Sequence, residues 1–266
     1  MQFGYDLREA VKSEMKQFDI GRCSVIGTRE EQQDASILIE AGDRVFAAVC
    51  DGMGGLYKGA VAANTAIMTL ERLYRSKPRE QAMDEFYMVA VDILDESVFE
   101  LRRENPDRQP SGTTIVSAGI CGNCLHWLSV GDSRLYIARG KEIVCATTDH
   151  NYLLLLNNAV KTGEISPEEY KKERKKGDAL ISYIGMGGVD LMDCSKTPFI
   201  LRQGDVVVLT SDGLYRCVTE REISGVVNGE TTAQETAEAL VALAKKNSAR
   251  EQDNTTVLVI KYKGES

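Results

Sequence analysis

Four aspartates share one setting in this sequence of 266 residues, because each lies at the edge of an apolar, strand-like run. They are Asp51 after AAVC, Asp132 in SVGDSR, Asp212 after VVVLTS and Asp253 in EQDNTTVLVI. A single aspartate at a strand end is usually a turn residue or a helix N-cap. Carboxylates that converge in space repel one another unless a cation neutralises them, so four in one setting indicate a metal site.

The residue types favour a hard cation. Oxygen ligands suit Mg²⁺ or Mn²⁺, whereas zinc sites are built from histidine and cysteine. The chain has two histidines, His126 and His150, and no dense Cys/His cluster. His150 either supports a metal ligand from behind or is a capping or hydrogen-bonded surface histidine. We expect His126, beside Trp127 in an alternating strand, to be structural.

The glycines after Asp51, in DGMGGLYKGA, also suggest a loop that cradles a nucleotide phosphate. That interpretation fails, because the segment has no Gly-Lys-Ser/Thr and presents an acid where a phosphate would lie. The seven cysteines are scattered, as expected for free thiols in a reducing compartment. Cys121 and Cys124 have CxxC spacing, but no second pair accompanies them, so we prefer a hairpin turn to a metal or redox site.

Charge and hydropathy exclude two classes of partner. A net charge of -8 and a pI near 5.0 argue against a dedicated nucleic-acid binder, which needs clustered Lys and Arg. The N-terminal residues carry charges every few positions, and no run of about eighteen uncharged apolar residues occurs. We expect a cytoplasmic, soluble monomer that binds neither nucleic acid nor a membrane.

Strand-like and helix-like patterns occur in separate blocks. Apolar spacings of three and four predict helices over about 60–74, 83–101 and 233–244. Strands are predicted at CSVIGT, ASILIE, RVFAAVC, TTIVSAGI, LHWLSV, RLYIARG, KEIVCAT, TPFIL, DVVVLT and TTVLVIKY. Segregated blocks favour antiparallel sheets with helices outside them over a doubly wound parallel sheet.

A polar segment over residues 149–184 interrupts the strands. Ser166, Pro167 and Glu169 fit the N-cap, first-turn and capping-box positions of a surface helix. Its basic run KKERKK (171–176) either attracts acidic phosphoprotein segments or is the solvated face of that helix.

Six motifs in order carry a resemblance that no single one would. They are DGMGG (51–55), SGTT (111–114), VGDSRLY (130–136), TTDH (147–150), SDGL (211–214) and DNTT (253–256). The series resembles the metal-dependent protein phosphatases of type 2C in their bacterial single-domain form, over about residues 20–260. Upstream, TREEQQD places Arg29 five residues before Asp34, as in that family's opening motif.

The resemblance implies an α+β fold, a four-layer αββα sandwich of two antiparallel β-sheets flanked by helix pairs. It implies one domain over residues 1–266, with a flap at about 150–184 beside the active site. The implied activity is hydrolysis of phosphoserine and phosphothreonine in phosphorylated proteins, the substrates of a Ser/Thr kinase. The rival is a catalytically weak or inactive regulator that binds phosphoproteins, but all expected ligand positions are filled, which favours an enzyme.

The resemblance also implies roles for single residues. Asp51 would bridge two Mn²⁺ or Mg²⁺ ions, and the Gly52 carbonyl would ligate one of them. Asp212 and Asp253 would hold the other ion, and Asp34 would act through metal-bound waters. A water activated by both ions would then attack the phosphorus directly.

Other positions concern the substrate and a third ion. Arg29 would grip the substrate phosphate, a task that suits a planar bidentate donor. Asp132 resembles the ligand of a third, weaker metal site, although Arg216 stands where the family commonly has an acid. Met53 replaces the general-acid histidine of eukaryotic members, so water must protonate the leaving group. Residues 56–60 also depart from the bacterial pattern.

Overall fold

The computed structural model describes residues 16–53, 58–104, 109–248 and 251–264. Leu56 and Tyr57, in the segment that departs from the family pattern, lie outside these ranges, as do most of the N-terminal residues used above. The strands are β1 Phe18–Val25, β2 Asp34–Ala41, β3 Arg44–Asp51, β4 Ile115–Cys121, β5 Cys124–Val130, β6 Arg134–Arg139, β7 Glu142–Cys145, β8 Asp193–Cys194, β9 Phe199–Ile200, β10 Val206–Thr210 and β11 Thr255–Tyr262. The helices are α1 Gly59–Ser76, α2 Met83–Phe99, α3 Tyr152–Thr162, α4 Pro167–Glu173, α5 Asp212–Tyr215, α6 Glu220–Val227 and α7 Ala233–Asn247.

The strands form two antiparallel sheets. The first has the order β1-β11-β10-β6-β7, and the second has the order β2-β3-β4-β5-β8, with β9 also paired to β5. The element order along the chain agrees with the segregated blocks of the sequence. The predicted α+β class with antiparallel sheets is therefore confirmed.

Strand β3 shows why the layers form. Its residues are apolar on both faces because both faces are buried. Val45 and Ala47 point into a core between the two sheets, whereas Phe46 and Ala48 point into a core shared with α1 and α2. A third core packs α6 and α7 on the outer face of the first sheet. These three cores separate four layers, so the predicted αββα sandwich is confirmed.

Several elements differ from their predicted bounds. Strand β1 begins at Phe18, five residues before the predicted run, because it pairs along its length with β11, from Phe18↔Tyr262 to Val25↔Thr255. The strand predicted at TPFIL contracts to the two residues of β9. Helix α6 was not predicted, although Thr219 and Glu222 form a capping box at its start.

The flap segment, residues 150–184, contains α3 and α4. The capping box predicted for α4 is confirmed, because Glu169 N–H donates to Ser166 Oγ at 3.2 Å and Ser166 N–H donates to Glu169 Oε2 at 2.8 Å. At its end, Ile184 forms a two-way backbone bridge with Thr113, at 2.9 and 3.1 Å. That residues 1–266 make up one domain stays a prediction.

The CxxC pair lies in a hairpin. Cys121 and Cys124 face each other at the ends of β4 and β5, Gly122 has φ +59°, and both thiols are free. This confirms the hairpin interpretation. Within the described part of the chain, no helix is both long and apolar enough to cross a lipid bilayer.

Candidate active site

The predicted site residues lie at one end of the sandwich, around a cavity of about 370 Å³. Six of the seven line this cavity, namely Arg29, Asp51, Gly52, Asp132, Asp212 and Asp253. A larger cavity of about 850 Å³, beside the start of α7, is lined by none of them. Strand ends that are far apart in sequence thus converge on one place.

Asp51 is fixed through its backbone at the end of β3. Its N–H donates to Thr114 Oγ1 at 3.0 Å, and its carbonyl accepts from Thr113 Oγ1 and Thr114 N–H, both at 2.9 Å. Gly52 follows where a side chain cannot fit, because a Cβ would lie 2.2 Å from the Gly59 carbonyl oxygen. The glycine therefore lets the chain after Asp51 pass close to the start of α1.

Asp212 and Asp253 are brought together by two adjacent strand ends. Asp212 begins α5 directly after β10, and Asp253 precedes β11, the neighbour of β10 in the sheet. A Cβ at Gly213 would lie 2.1 Å from the Asn254 carbonyl oxygen, so only glycine permits this approach. The SDGL and DNTT motifs therefore pack against each other.

Asp34 lies behind the wall of the cavity. It pairs with Asp51 across β2 and β3, is 6% exposed, and accepts a 2.7 Å hydrogen bond from Ser211 Oγ. Burial, with the charges of Asp212 and Asp253 added, raises the pKa of Asp34 to about 6 against the effect of the hydrogen bonds. Its carboxyl is therefore close to the other acids without lining the open space.

Arg29 stands at the rim on the loop between β1 and β2. Its side chain is 59% exposed, and its Nη2 lies 2.6 Å from Asp253 Oδ2. Asn254 clamps this loop, because its Oδ1 accepts from Gln33 N–H at 2.7 Å and its Nδ2 donates to Ile26 O at 2.8 Å. The residue after Asp253 thus positions the loop that carries Arg29.

Asp132 is held from behind by His150. Gly131 N–H donates to His150 Nδ1 at 3.1 Å, and His150 N–H donates to Gly131 O at 2.9 Å. His150 is fully buried, so the surface alternative for this residue is wrong, and it supports the turn that carries Asp132. His126, expected to be structural, has its Nδ1 at 3.2 Å from Ser195 O.

Three acids that line the cavity resist ionisation. Burial, followed by the charges of Asp34 and Asp212, holds the pKa of Asp51 well above its usual range. Burial also raises the pKa of Asp212, although Arg216 opposes that shift. Burial raises the pKa of Asp132 to about 6, with a further contribution from Asp212. The ionised forms of such carboxylates are strongly stabilised by a nearby cation.

The charges of the cavity do not balance. Six carboxylates, with Asp34 included, face two arginines, which leaves four net negative charges when all are ionised. These residues are Asp34, Asp51, Asp132, Asp178, Asp212, Asp253, Arg29 and Arg216. Since a phosphate ester is itself an anion, its binding here requires added positive charge.

Two unsatisfied oxygens fit the predicted metal ions. Among the described residues, Asp34 Oδ1 and Asp212 Oδ1 are buried without a hydrogen-bond partner. Buried carboxylate oxygens are rarely left in this state unless a ligand completes them, and oxygen donors suit Mg²⁺ or Mn²⁺. No three His, Cys, Asp or Glu side chains in the described ranges are grouped tightly enough to hold an ion by themselves. The donors therefore match hard cations in chemistry, while several of them are engaged with arginines.

Some residues of the site were not assigned by the motifs. Thr114 and Asn254 lie in SGTT and DNTT, but only the structure shows that they fix Asp51 and the Arg29 loop. Asp178 lines the cavity from the flap segment, just after the basic run at 171–176. That run does not line the cavity, and Lys176 within it pairs with Glu173 at 2.9 Å. A role for it in attracting acidic segments stays a prediction.

The chain is similar to known phosphatases. The family profile described as Protein phosphatase 2C matches residues 18–153, about half of the chain. The serine/threonine phosphatase stp of Listeria monocytogenes is 28% identical over 215 residues, which cover 80% of this chain and 82% of that protein. The S. agalactiae serine/threonine phosphatase structure has a TM-score of 0.79 at 26% identity, over 92% of this chain and 99% of that one. The catalytic domain of PstP, solved with two manganese ions, has a TM-score of 0.71 at 26% identity, over 92% and 97% of the two chains.

Proposed function

This chain belongs to the protein phosphatase 2C family, and we propose that the cavity around Asp51 is its active site. The family predicted from the motifs is therefore confirmed. The chain is a protein serine/threonine phosphatase, the activity named for its relatives. Its substrates are phosphorylated proteins.

The family is metal-dependent, and the residues of the cavity fit two divalent ions. Asp51, the Gly52 carbonyl, Asp212 and Asp253 would hold Mn²⁺ or Mg²⁺, and Asp34 would act through waters bound to them. When bound, the ions polarise the phosphoryl oxygens and activate a water for attack at phosphorus. The manganese-bound PstP domain supports Mn²⁺ as the first ion to test.

Other residues act on the substrate directly. The guanidinium of Arg29 is exposed at the rim, where its planar fork can bind two oxygens of the phosphate. Met53 lines the cavity, and no histidine is among the described residues that do so, so the leaving serine or threonine oxygen takes its proton from water.

One observation carries this proposal. Residues predicted from five separate motifs line a single cavity, and buried carboxylate oxygens at its wall have no hydrogen-bond partner among the described residues. A fold retained only for binding has no need to keep an unbalanced cluster of acids, which costs stability. The arrangement therefore favours turnover over an inactive regulator.

The test is hydrolysis of a phosphothreonine peptide by the full chain. We expect turnover with Mn²⁺ that EDTA removes and that is lost in Asp51→Asn. A wild-type protein that binds the peptide without metal-dependent turnover would establish the regulator alternative instead. A phosphoserine peptide, a phosphotyrosine peptide and parallel Mg²⁺ titrations define the substrate class and the metal.

Three finer predictions accompany the proposal. The cognate substrates are phosphoproteins produced by a Ser/Thr kinase, the chain is a monomer, and it acts in the cytoplasm. Phosphoproteomics of a deletion strain tests the first, and light scattering of the purified chain tests the second. Fractionation of cells tests the third.

A further inference from the structure

Arg216 contacts three carboxylates that come from three parts of the chain. Its Nε lies 2.7 Å from Asp212 Oδ2, its Nη2 lies 3.8 Å from Asp132 Oδ2, and its Nη1 lies 3.5 Å from Asp178 Oδ2. The guanidinium thus lies inside the ring of acids rather than outside it. The sequence motifs gave this residue only as a departure from the family pattern.

The local fold holds the guanidinium between Asp132 and Asp212. Asp212 begins α5 and Arg216 follows one turn later, so the two side chains share a face. Arg216 N–H donates to Asp212 O at 3.1 Å, and Tyr215 Oη donates to Asp132 O at 2.9 Å. The ring of Tyr215 lies 3.6 Å from the guanidinium carbon of Arg134. These contacts tie α5 to the turn that carries Asp132 and fix the space between the two carboxylates.

Because of the charges involved, the space between Asp132 and Asp212 can hold only one cation. The side chains of Asp132 and Asp212 are 8% and 13% exposed, so they need a neutralising partner. The planar fork of a guanidinium can face two carboxylates at once. A divalent ion in the same space would stand next to a fixed positive charge and be repelled by it. Arg216 and a metal ion are therefore alternative occupants.

We propose that Arg216 is a built-in cation that takes the place of a third metal ion between Asp132 and Asp212. This inference rests on the proposed function, because it concerns the ion content of the same cavity. It implies that two divalent ions saturate the wild-type protein and that Asp132 ligates neither. The net charge is consistent with this, since the cavity keeps four negative charges after Arg29 and Arg216 are counted, and two divalent ions would neutralise them.

The test counts bound manganese. Metal-free wild type and Arg216→Gln are dialysed to equilibrium against MnCl₂, bound Mn²⁺ is measured by mass spectrometry, and affinities are measured by calorimetry. We expect two ions in the wild type and three in Arg216→Gln, with the third the weakest. Arg221→Gln removes an exposed arginine of α6 and should keep the count at two. Adding Asp132→Asn to Arg216→Gln should return the count from three to two.

Two results overturn the inference: three ions in the wild type, or two ions in an Arg216→Gln protein whose circular dichroism shows that it is folded. If Arg216→Gln does not fold, the single variant Asp132→Asn tests the inference. We expect its Mn²⁺ count and affinity to equal those of the wild type, and a loss of either contradicts the inference. Failure of the proposed function is distinct, because it appears as absent hydrolysis of the phosphothreonine peptide whatever the ion count.

Discussion

Two buried acidic regions of this protein satisfy their carboxylates in opposite ways. Asp95, near the C-terminal end of α2, is 5% exposed, and both of its oxygens accept backbone hydrogen bonds. Oδ1 accepts from Gly185 N–H at 2.6 Å and Met186 N–H at 2.9 Å, and Oδ2 accepts from Gly188 N–H at 2.6 Å. Three donors from one tight loop complete this carboxylate, so it is an anchor for the end of the flap segment.

The carboxylates of the cavity are left incomplete by the protein. In the described ranges, Asp34 Oδ1 and Asp212 Oδ1 are buried without a donor, and Asp51 stands among like charges. Burial alone therefore does not separate a structural aspartate from a functional one. The partners separate them, because the fold supplies N–H groups to Asp95 and leaves the other oxygens for a cation.

The largest effects are expected for Asp51→Asn, which should lower the activity and raise the metal-free stability. With Mn²⁺, kcat/KM on a phosphothreonine peptide should fall by more than about 100-fold, since loss of a group that merely supports a metal ligand already costs 10–100-fold. Without metal, the same variant should melt at a higher temperature at pH 7.5. The raised pKa of Asp51 means that its ionised form destabilises the folded state, and asparagine removes that charge.

Asp43→Asn is the matched control, because Asp43 lies on the exposed β2–β3 turn. It should change neither kcat/KM nor the melting temperature measurably. A drop in the metal-free melting temperature of Asp51→Asn would show that its carboxylate is satisfied by the protein, which removes the contrast with Asp95.

Asp95→Ala should have the opposite signature. It removes three hydrogen bonds to a buried carboxylate and leaves the buried Gly185 N–H without an acceptor. This costs about 4 kcal/mol, or roughly 10 °C in Tm. The Tm difference between Asp95→Ala and the wild type should be the same in EDTA as in Mn²⁺. Asp92→Ala removes an exposed aspartate from the same helix and should lose far less. Circular dichroism melts of the three proteins measure this, and a loss seen only with Mn²⁺ would place Asp95 in the metal site.

The cavity could be predicted from sequence because its acids terminate strands. Asp51, Asp212 and Asp253 each end or precede an apolar run. Antiparallel pairing of β10 with β11 brings Asp212 to Asp253, and the packing of the two sheets against each other brings in Asp51. The position of Asp34 behind the wall could not be predicted, since it depends on its register opposite Asp51. The pairing of Arg216 with Asp132 depends on contacts between elements more than 80 residues apart, which no local pattern encodes.

The anchoring role of Asp95 has a signal in the sequence. It lies on the buried stripe of α2 with Val91, Leu94 and Val98, where an acid is out of place unless it has donors. The donors are 90 residues away, in the glycine-containing loop 185–188. An acid on an apolar helix face and a distant glycine-rich loop would together have predicted an anchor.

The pH dependence of metal-free stability sharpens the comparison. The pKa of Asp34 is raised from its ordinary value of 3.8 to about 6 by burial, so the folded state holds a proton that the unfolded state releases. Its contribution to stability is complete below pH 3.8 and is lost as pH rises to about 6. Asparagine does not titrate, so Asp34→Asn does not lose stability in this way. The stability of the variant relative to the wild type should therefore rise between pH 4 and 6, by up to about 3 kcal/mol, and its Tm should rise relative to the wild-type Tm.

The melts use metal-stripped protein in buffers that do not bind metals. Repeating the series with saturating Mn²⁺ should reduce the pH dependence, because a bound cation favours the ionised carboxylate. A difference between variant and wild type that is flat from pH 4 to 7 would mean that Asp34 is completed by Ser211 alone.

The smallest effect is expected at Asp178, which faces the same arginine as Asp132 but from the solvent side. Its side chain is 77% exposed and lies 3.5 Å from Arg216 Nη1, so water can satisfy both of its oxygens. Such pairs contribute less than about 1 kcal/mol, and Asp178→Asn should shift the metal-free Tm by no more than roughly 3 °C. Asp190→Asn, at another exposed position, is its control. A shift as large as that of Asp95→Ala would mean that the flap is fixed through Arg216 rather than through the loop that Asp95 anchors.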